Sequence, residues 1–325
     1  MLFIGAMGSI GIFYLVVQAL GPRLIIHPTT YGINYFGVAS ALGVMFAVGL
    51  VDDFKNLKPL VKLVGQVIAA TIAAASGVLL DRLADPFSAG FIEFGPWAYP
   101  ITIFYLVAFA NIINLIDGLD GLAAGICAIS ATALFVLAIG KGGYDAAVFS
   151  LATIGACLAF LCFNFHPAKV FMGDSGALFL GFMLGLISLF GVVRTPALVT
   201  LLVPVIIAGI PVIDTFFAII RRLRVRQSIG EADRGHIHHR FMNIGYGQRR
   251  TVLVMYALSA ILAVCAVQIS SQTGAIRAVL VVIMIVIVTG LVWRLQLTGS
   301  VLQHYYHKRE LHSQEDEDYY DEDVT

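Results

Sequence analysis

The sequence has little charge: only 12% of its 325 residues are Asp, Glu, Lys or Arg, whereas 59% are hydrophobic. Soluble globular proteins carry about 25% charged residues, so this composition excludes a soluble enzyme and a disordered chain. Only four cysteines are present, all in apolar stretches and without a CxxC pair, which excludes a disulfide scaffold. The composition therefore predicts a polytopic membrane protein.

Long apolar runs fill most of the sequence. A membrane-spanning helix needs about 20 apolar residues, and hydropathy predicts ten such spans, at residues 2–20, 33–51, 62–80, 98–116, 119–140, 145–163, 175–192, 197–220, 251–270 and 276–296. The predicted fold class is all-α, with a transmembrane domain over residues 1–296 that includes a long loop at 221–250. An acidic tail at 297–325 is predicted to be disordered.

Lysine and arginine are divided unequally between the two sides of the predicted membrane, although the net charge is zero. One side, which holds both termini and the 221–250 loop, carries fifteen of these residues. The other side carries five, namely Arg23, Arg82, Lys141, Arg194 and Arg277. Because loops rich in Lys and Arg remain in the cytoplasm, the first side is predicted to be cytoplasmic.

The few acids outside the tail and the outer loops all fall near cytoplasmic ends of predicted spans: Asp52, Asp53, Asp117, Asp120, Asp174, Asp214, Glu231 and Asp233. Carboxylates at the ends of membrane helices are unfavourable unless they are paired, hydrated or bound to a metal. Four segments distant in sequence bring such residues to one face. We interpret this pattern as a functional site on the cytoplasmic face.

The first acidic pair, Asp52 and Asp53, ends the second predicted span. Adjacent carboxylates can bind a divalent cation or act as a base. A solvated acidic helix end is the simpler interpretation, but acids at a helix C-terminus oppose the helix dipole. Lys62 and Gln66 follow at the start of the next span, where the lysine could reach a phosphate.

A second group contains Asn111, Asn114, Asp117 and Asp120, followed or separated by glycines. The first three are spaced three residues apart, so they lie near one another on one face at the end of a helix. Amide and carboxylate oxygens suit Mg²⁺ or Mn²⁺ and the phosphates that these ions carry. Polar contacts between membrane helices are the alternative, but they explain one asparagine better than the whole group.

A third group lies at residues 164–176, where Asp174 and Ser175 are well positioned to start a helix. Asp174 could be a helix N-cap. The N-terminus of a helix is also a binding site for phosphate, and an aspartate there could hold a metal that binds the phosphates.

A fourth group, His236, His238, His239 and Arg240, lies in the long loop. Three histidines could bind zinc. No cysteine lies nearby and the surrounding arginines would repel a cation, so contacts with a diphosphate or a sugar are favoured.

Four motifs in register carry a family resemblance: VDDFKNLKPLVKLVGQ, NIINLIDGLDGLAAG, FNFHPAKVFMGDSGALFLG and DRGHIHHRFMNIGYGQRRTV. The chain resembles the polyprenyl-phosphate N-acetylhexosamine-1-phosphate transferases over roughly residues 1–295. Its HIHHR loop is similar to that of bacterial undecaprenyl-phosphate N-acetylglucosamine-1-phosphate transferases. Phospho-N-acetylmuramoyl-pentapeptide transferases, which carry a different histidine loop, are the alternative within the family. A membrane transporter and an inactive scaffold are the alternatives of other classes.

The resemblance implies that a polyprenyl phosphate attacks the β-phosphate of a UDP-N-acetylhexosamine, which forms a polyprenyl-diphosphate sugar and releases UMP. Mg²⁺ would be the cofactor, with Mn²⁺ as the other candidate. The reaction would begin cell-envelope polysaccharide or teichoic acid synthesis at the bacterial inner membrane. The expected partners are the two substrates and the bilayer but not nucleic acid, and a homodimer is left open.

The resemblance also implies roles for the matched residues. Asn114 and Asp174 would bind the metal, while Asp120 would meet the uracil and Phe171 would stack on it. Asp52 or Asp53 would deprotonate or position the lipid phosphate. The candidate residues are, for catalysis, Asp52, Asp53, Lys62 and Asp117; for substrate binding, Asn111, Asp120, Asn164, Phe171, His236, His238, His239 and Arg240; and for the metal, Asn114 and Asp174.

Members of this family usually carry one more span, followed by a basic cytoplasmic loop that helps to hold the nucleotide. Met1 falls where the helix after that loop would begin. The resemblance therefore implies that the first helix of the family and its loop are missing from this sequence.

Overall fold

A computed structural model of the chain describes residues 2–20, 32–84, 91–194 and 247–272, together with scattered residues between 276 and 290. The helices with defined bounds are α1 (Leu2–Leu20), α2 (Tyr35–Lys55), α3 (Pro59–Ala75), α4 (Ala98–Ile116), α5 (Leu122–Gly140), α6 (Tyr144–Asn164), α7 (Gly173–Arg194) and α8 (Gln248–Ser271). Among the described residues, α2 and α4 to α8 are long and apolar enough to cross a membrane. The predicted all-α polytopic fold is thereby confirmed.

The predicted count of ten spans is not confirmed. The predicted span 197–220, most of the 221–250 loop and the tail lie outside the described residues, and the span 276–296 is described only in part. The third span was predicted at 62–80, whereas α3 runs from Pro59 to Ala75. Proline fits the first turn of a helix because the amide hydrogen that it lacks has no partner there.

A small β-hairpin joins α3 to α4 where the sequence predicted only a loop. Strand β1 (Arg82–Ala84) pairs antiparallel with β2 (Phe91–Glu93), and a 3₁₀ turn at Gly95–Trp97 leads into α4. Residues 85–90 between the strands lie outside the described range. Three-residue strands are too short to produce a recognisable alternation of apolar and polar residues.

Helix α7 lies at the centre of the described bundle and contacts α2, α4, α5 and α6. Its aromatic side chains Phe179, Phe182 and Phe190 are fully buried. Lipid tails are as apolar as these side chains, so membrane helices gain stability mainly from close packing, which small residues allow. The position of α7 therefore depends on the small residues that surround it.

Two glycines bring the backbone of α7 against its neighbours. A Cβ atom at Gly49 in α2 would lie 2.5 Å from Cα of Ser175 and 2.6 Å from the carbonyl oxygen of Asp174. A Cβ atom at Gly181 in α7 would lie 2.5 Å from the carbonyl oxygen of Phe109 in α4. Only glycine fits these contacts, which fix the first turn of α7 beside the end of α2.

Side-chain contacts identify the two ends of the bundle. Lys62 of α3 contacts Asp174 of α7 at one end, and the side chain of Arg249 in α8 reaches the loop after α6 at that same end. At the other end, the ammonium of Lys141 donates to the hydroxyl of Ser270 over 3.0 Å. Every described acidic segment predicted to be cytoplasmic therefore lies at the first end.

We expect Gly49→Ala to displace the first turn of α7, because the added methyl group would overlap backbone atoms that cannot rotate away. Such overpacking typically lowers the free energy of unfolding by about 1–3 kcal/mol. A thermal melt of the protein in detergent would measure the loss. The matched control is Gly43→Ala in the same helix, where nothing lies within 4 Å of the added atom. Equal melting temperatures for the two variants would contradict this packing.

Candidate active site

A polar cavity of about 320 Å³ opens at the end of the bundle where the acidic segments meet. Its walls come from the loop after α4, the loop after α6 and the first turn of α7. The lining residues are Asn114, Asp117, Gly118, Leu119, Asp120, Asn164, Phe171, Met172, Gly173 and Asp174. A larger cavity of about 530 Å³ between α5, α6 and α8 is lined by apolar side chains with only Thr132 and Gln268 polar, so it offers no ionisable group for chemistry.

Four side chains form a charged cluster beside this cavity: Asp52, Lys62, Asn114 and Asp174. The ammonium of Lys62 lies 2.9 Å from Oδ2 of Asp52 and also contacts Oδ2 of Asp174. It donates to Oδ1 of Asn114 over 3.4 Å, and the amide of Asn114 donates to Oδ1 of Asp174 over 2.7 Å. Residues from α2, α3, α4 and α7 thus meet around one positive charge.

Asp52 and Asp53 have different partners although they are adjacent in sequence. Asp52 is buried, and its Oδ1 accepts a hydrogen bond of 2.7 Å from the amide of Leu57. Asp53 accepts hydrogen bonds from the backbone amides of Asp174 at 2.7 Å and Ser175 at 3.1 Å. Asp53 therefore caps the N-terminus of α7 from a neighbouring helix, and its negative charge complements the positive end of that helix dipole.

This arrangement differs from the simpler prediction that Asp174 is itself the N-cap of α7. The helix begins at Gly173, and the side chain of Asp174 faces Lys62 and Asn114. Gly173 adopts φ +66°, and a Cβ atom there would lie 2.8 Å from both carboxylate oxygens of Asp53. The cap supplied by Asp53 leaves the carboxylate of Asp174 available for the cavity.

Asn111 lies one helical turn deeper than Asn114 and does not line the cavity. Its amide donates to Oε1 of Gln66 over 2.6 Å and to the carbonyl of Val107 over 2.8 Å, while Nε2 of Gln66 donates back over 3.3 Å. This pair of amides joins α3 to α4 one turn from Lys62. The prediction that Asn111 binds substrate stays a prediction.

Asp117 follows the last residue of α4 and lines the cavity. Burial raises the pKa of its carboxyl from 3.8 to about 7, and the nearby carboxylates of Asp174, Asp120 and Asp53 add to the shift. Within the described residues no hydrogen bond reaches this carboxylate. Asp117 is therefore a carboxyl group that can exchange a proton near neutral pH.

The far end of the cavity is held by hydrogen bonds between its two loops. Oδ2 of Asp120 accepts from the ring Nδ1 of His166 over 2.9 Å and from the amide of Ala168 over 3.2 Å. Asn164 is almost fully buried, and its Oδ1 accepts from the amide of Gly121 over 2.9 Å. Phe171, in contrast, is 76% exposed at the rim and offers a free aromatic face.

The structure brings the described candidate residues to one end of the bundle, and all of them except Asn111 lie at or beside the cavity. His236, His238, His239 and Arg240 lie outside the described residues. His166, Arg249 and Tyr256 were not among the predicted site residues. His166 and Arg249 each stand inside a quoted motif, and these positions were the signals available in the sequence.

The donor atoms of the charged cluster fit a hard divalent cation. Oδ1 of Asn114 and Oδ2 of Asp174 already converge on the ammonium of Lys62, so both are oriented toward a positive charge. In the part of the chain that the structure describes, no three His, Cys, Asp or Glu side chains form a metal-binding group. Hard divalent cations such as Mg²⁺ are often held by one or two carboxylates, with water and substrate phosphates as the other ligands.

Known proteins that are similar to this chain agree with the family that its motifs suggested. A sequence model of glycosyl transferase family 4 matches residues 35–192. A probable undecaprenyl-phosphate N-acetylglucosaminyl 1-phosphate transferase of Bacillus subtilis is 40% identical over 77% of this chain and 71% of its own length. A decaprenyl-phosphate N-acetylglucosaminephosphotransferase of Mycolicibacterium smegmatis is 36% identical over 79% of this chain and 70% of its own length. A phospho-N-acetylmuramoyl-pentapeptide-transferase of Desulforudis audaxviator is 35% identical over 72% of this chain and 73% of its own length.

The raised pKa of Asp117 predicts a pH-dependent effect on stability. The folded protein keeps a proton that the unfolded chain releases, so this group destabilises the fold progressively as pH rises from about 4 to about 7. We expect Asp117→Asn to raise the melting temperature without added metal or nucleotide, by more at pH 8 than at pH 5. A gain of the same size at both pH values would contradict the raised pKa.

The capping role of Asp53 predicts a graded loss of stability. Asp53→Ala removes both acceptors and should lower the free energy of unfolding by about 1 kcal/mol, as for other helix caps. Asp53→Asn keeps one acceptor and should lose less. Thermal melts of the two variants test this order, and a larger loss for the asparagine variant would argue against a cap.

Proposed function

Because this chain belongs to glycosyl transferase family 4, we propose that it transfers N-acetylglucosamine-1-phosphate, or a related N-acetylhexosamine-1-phosphate, from a UDP-sugar to polyprenyl phosphate and releases UMP. The relatives from B. subtilis and M. smegmatis carry names of this activity. The observation that carries the proposal is the convergence of Lys62, Asn114 and Asp174 beside a polar cavity at one end of a membrane bundle.

In the proposed reaction, an oxygen of the lipid phosphate attacks the β-phosphorus of the UDP-sugar. The bond between this phosphorus and the oxygen that bridges it to the α-phosphate breaks, and UMP leaves with that oxygen. Both reactants are anionic, so catalysis requires positive charge where they meet. The ammonium of Lys62 would neutralise phosphate charge. We favour a single displacement, since this charge offsets the repulsion between the two phosphates.

Asn114 and Asp174 would hold Mg²⁺, with Mn²⁺ as the other candidate. When bound, the ion would offset the negative charge of the diphosphate. Asp53 would position Asp174 through the first turn of α7, since both of its oxygens accept from that turn. Asp52 would orient Lys62, which lies 2.9 Å from its Oδ2. In this proposal the two adjacent acids act on the substrates indirectly.

Asp117 is the carboxylate best suited to accept the last proton of the lipid phosphate. The pKa of about 7 matches the pKa near 6 of a phosphate monoester more closely than that of an ordinary carboxyl group. Proton transfer is most effective when the catalytic pKa lies close to the working pH. Asp117 also lines the same cavity as Asn114.

The opposite end of the cavity would bind the nucleotide base. The carboxylate of Asp120 would meet the uracil, with Asn164 lining the pocket and the exposed ring of Phe171 stacking on the base. The segment from His236 to Arg240, including His238 and His239, would contact the diphosphate and the amino sugar. At the charged end, Asn111 would support the cluster around Lys62 by joining α3 to α4.

The reaction would take place at the cytoplasmic face of the bacterial inner membrane, where it would begin the synthesis of a cell-envelope polysaccharide or teichoic acid. Fifteen of the 20 Lys and Arg residues are assigned to this side by the span prediction, which supports that orientation. Water-soluble UDP-sugar would arrive from the cytosol, and the lipid phosphate would enter from the bilayer. A homodimer is compatible with this arrangement.

A phospho-N-acetylmuramoyl-pentapeptide transferase is the second candidate, because the relative from D. audaxviator carries that name at 35% identity. The first candidate is preferred because the B. subtilis relative is 40% identical over a similar share of the chain. A transporter would instead place ionisable side chains near the middle of the bilayer.

Release of UMP by the purified protein tests the proposal. The assay contains undecaprenyl phosphate and Mg²⁺, with either UDP-N-acetylglucosamine or the UDP-muramoyl-pentapeptide nucleotide. We expect release with the first nucleotide only, dependent on both lipid and metal. Release with the second nucleotide only would favour the second candidate, and no release with either would contradict both.

Asp174→Asn should abolish UMP release, because the amide cannot supply the negative charge that holds the metal. The variant should fold, since Asp53 contacts the backbone amide of residue 174 and not its side chain. Mn²⁺ binding followed by electron paramagnetic resonance should weaken in parallel, with the melting temperature as the control for folding. Turnover near that of the unaltered protein would remove Asp174 from the metal role.

A further inference from the structure

Helix α8 contacts both loops that form the base-binding end of the cavity. Nε of Arg249, in the first turn of α8, donates to the backbone carbonyl of His166 over 2.9 Å. About two turns further along the same helix, the hydroxyl of Tyr256 donates to the backbone carbonyl of Gly121. The side chain of Tyr256 also fills the space where a Cβ atom of Gly125 would lie, at 2.0 Å from the ring.

His166 connects Arg249 to Asp120. Its backbone carbonyl is held by Arg249, while its ring Nδ1 lies 2.9 Å from Oδ2 of Asp120. The amide of Ala168, two residues further on, donates to that same oxygen. Both contacts fall on Oδ2, so within the described residues Oδ1 is the oxygen left for a ligand.

We propose that His166 and Arg249 are positioning residues for nucleotide selection, which fix the carboxylate of Asp120 so that a single oxygen faces the base. This inference rests on the proposed function, because it takes Asp120 as the residue that meets the uracil. Both residues act through Asp120 and the loop after α6, and neither belongs to the charged cluster, so we assign neither a catalytic role. Recognition of the base then depends on the docking of α8 as well as on the two loops.

The chemistry of the base explains why the orientation matters. N3 of uracil carries a hydrogen and donates, whereas N3 of cytosine has no hydrogen and accepts. A carboxylate oxygen fixed opposite N3 therefore accepts from uracil and repels cytosine. A carboxylate that is free to rotate can turn toward the exocyclic amino group of cytosine and lose this discrimination. Two donors on Oδ2 prevent that rotation.

The test compares two substitutions of His166. Asparagine carries an amide nitrogen near the position of Nδ1 and can still donate to Asp120, whereas leucine cannot. A hydrogen bond to a charged group shifts an equilibrium by about tenfold or more, and losing the one on Asp120 should weaken nucleotide binding through the freed carboxylate. We expect His166→Leu to raise KM for the UDP-sugar about tenfold with kcat and KM for the lipid nearly unchanged. His166→Asn should recover most of this loss.

Direct binding of nucleotides separates this inference from the proposed function. Calorimetry with UMP and CMP should show a preference for UMP that falls in His166→Leu and returns in His166→Asn. These measurements need no turnover, so they report on Asp120 even if the UMP-release assay fails. Unchanged UMP affinity and preference in His166→Leu would overturn the inference, as would equal losses in the two variants.

Two adjacent arginines at the start of α8 allow a matched test of the contact between this helix and His166. Arg249→Met removes the donor to His166, whereas Arg250→Met alters the next residue, which is also exposed and basic. Only the first should weaken UMP binding, by severalfold, with melting temperatures as the control for folding. Equal effects of the two substitutions would indicate a general loss of positive charge and would contradict a specific link through His166.

Discussion

The cap that Asp53 places on the first turn of α7 is the contact on which the site depends. It joins the end of α2 to the start of the central helix, and Gly49 and Gly173 make room for it. With the backbone amides of that turn satisfied from outside, the side chain of Asp174 is released from capping its own helix. An acid that is unfavourable at the C-terminus of α2 is favourable at the N-terminus of α7.

The charged cluster follows from this junction. Three carboxylate or amide side chains, those of Asp52, Asn114 and Asp174, would be unstable beside a membrane bundle without compensating charge. Lys62 supplies that charge at the point where α2, α3, α4 and α7 meet. The amide pair of Gln66 and Asn111 fixes α3 one turn below. The result is a set of oxygens that converge on a cation before any substrate binds.

The cavity has two ends with different physical character. The end near the charged cluster combines Lys62 with several acids and suits a metal and phosphates. At the other end, hydrogen bonds around Asp120, Asn164 and Gly121 hold the two loops together, and an exposed aromatic ring lies at the rim. Asp117 lies between the two ends and carries the carboxyl with the raised pKa. A nucleotide sugar is arranged in the same way, with an aromatic base at one end and a charged diphosphate further along.

The sequence by itself determined the membrane class, most helix bounds to within a few residues and the set of acids that share one face, because apolar runs and residue types are local properties. It could not separate Asp52 from Asp53, or foresee the pairing of Asn111 and the contacts of His166 and Arg249. Adjacent helical residues point about 100° apart, so their partners depend on how each helix is rotated against the others. That rotation is set by packing between segments over 100 positions apart, as with Asp53 and Asp174, and only the tertiary structure decided it.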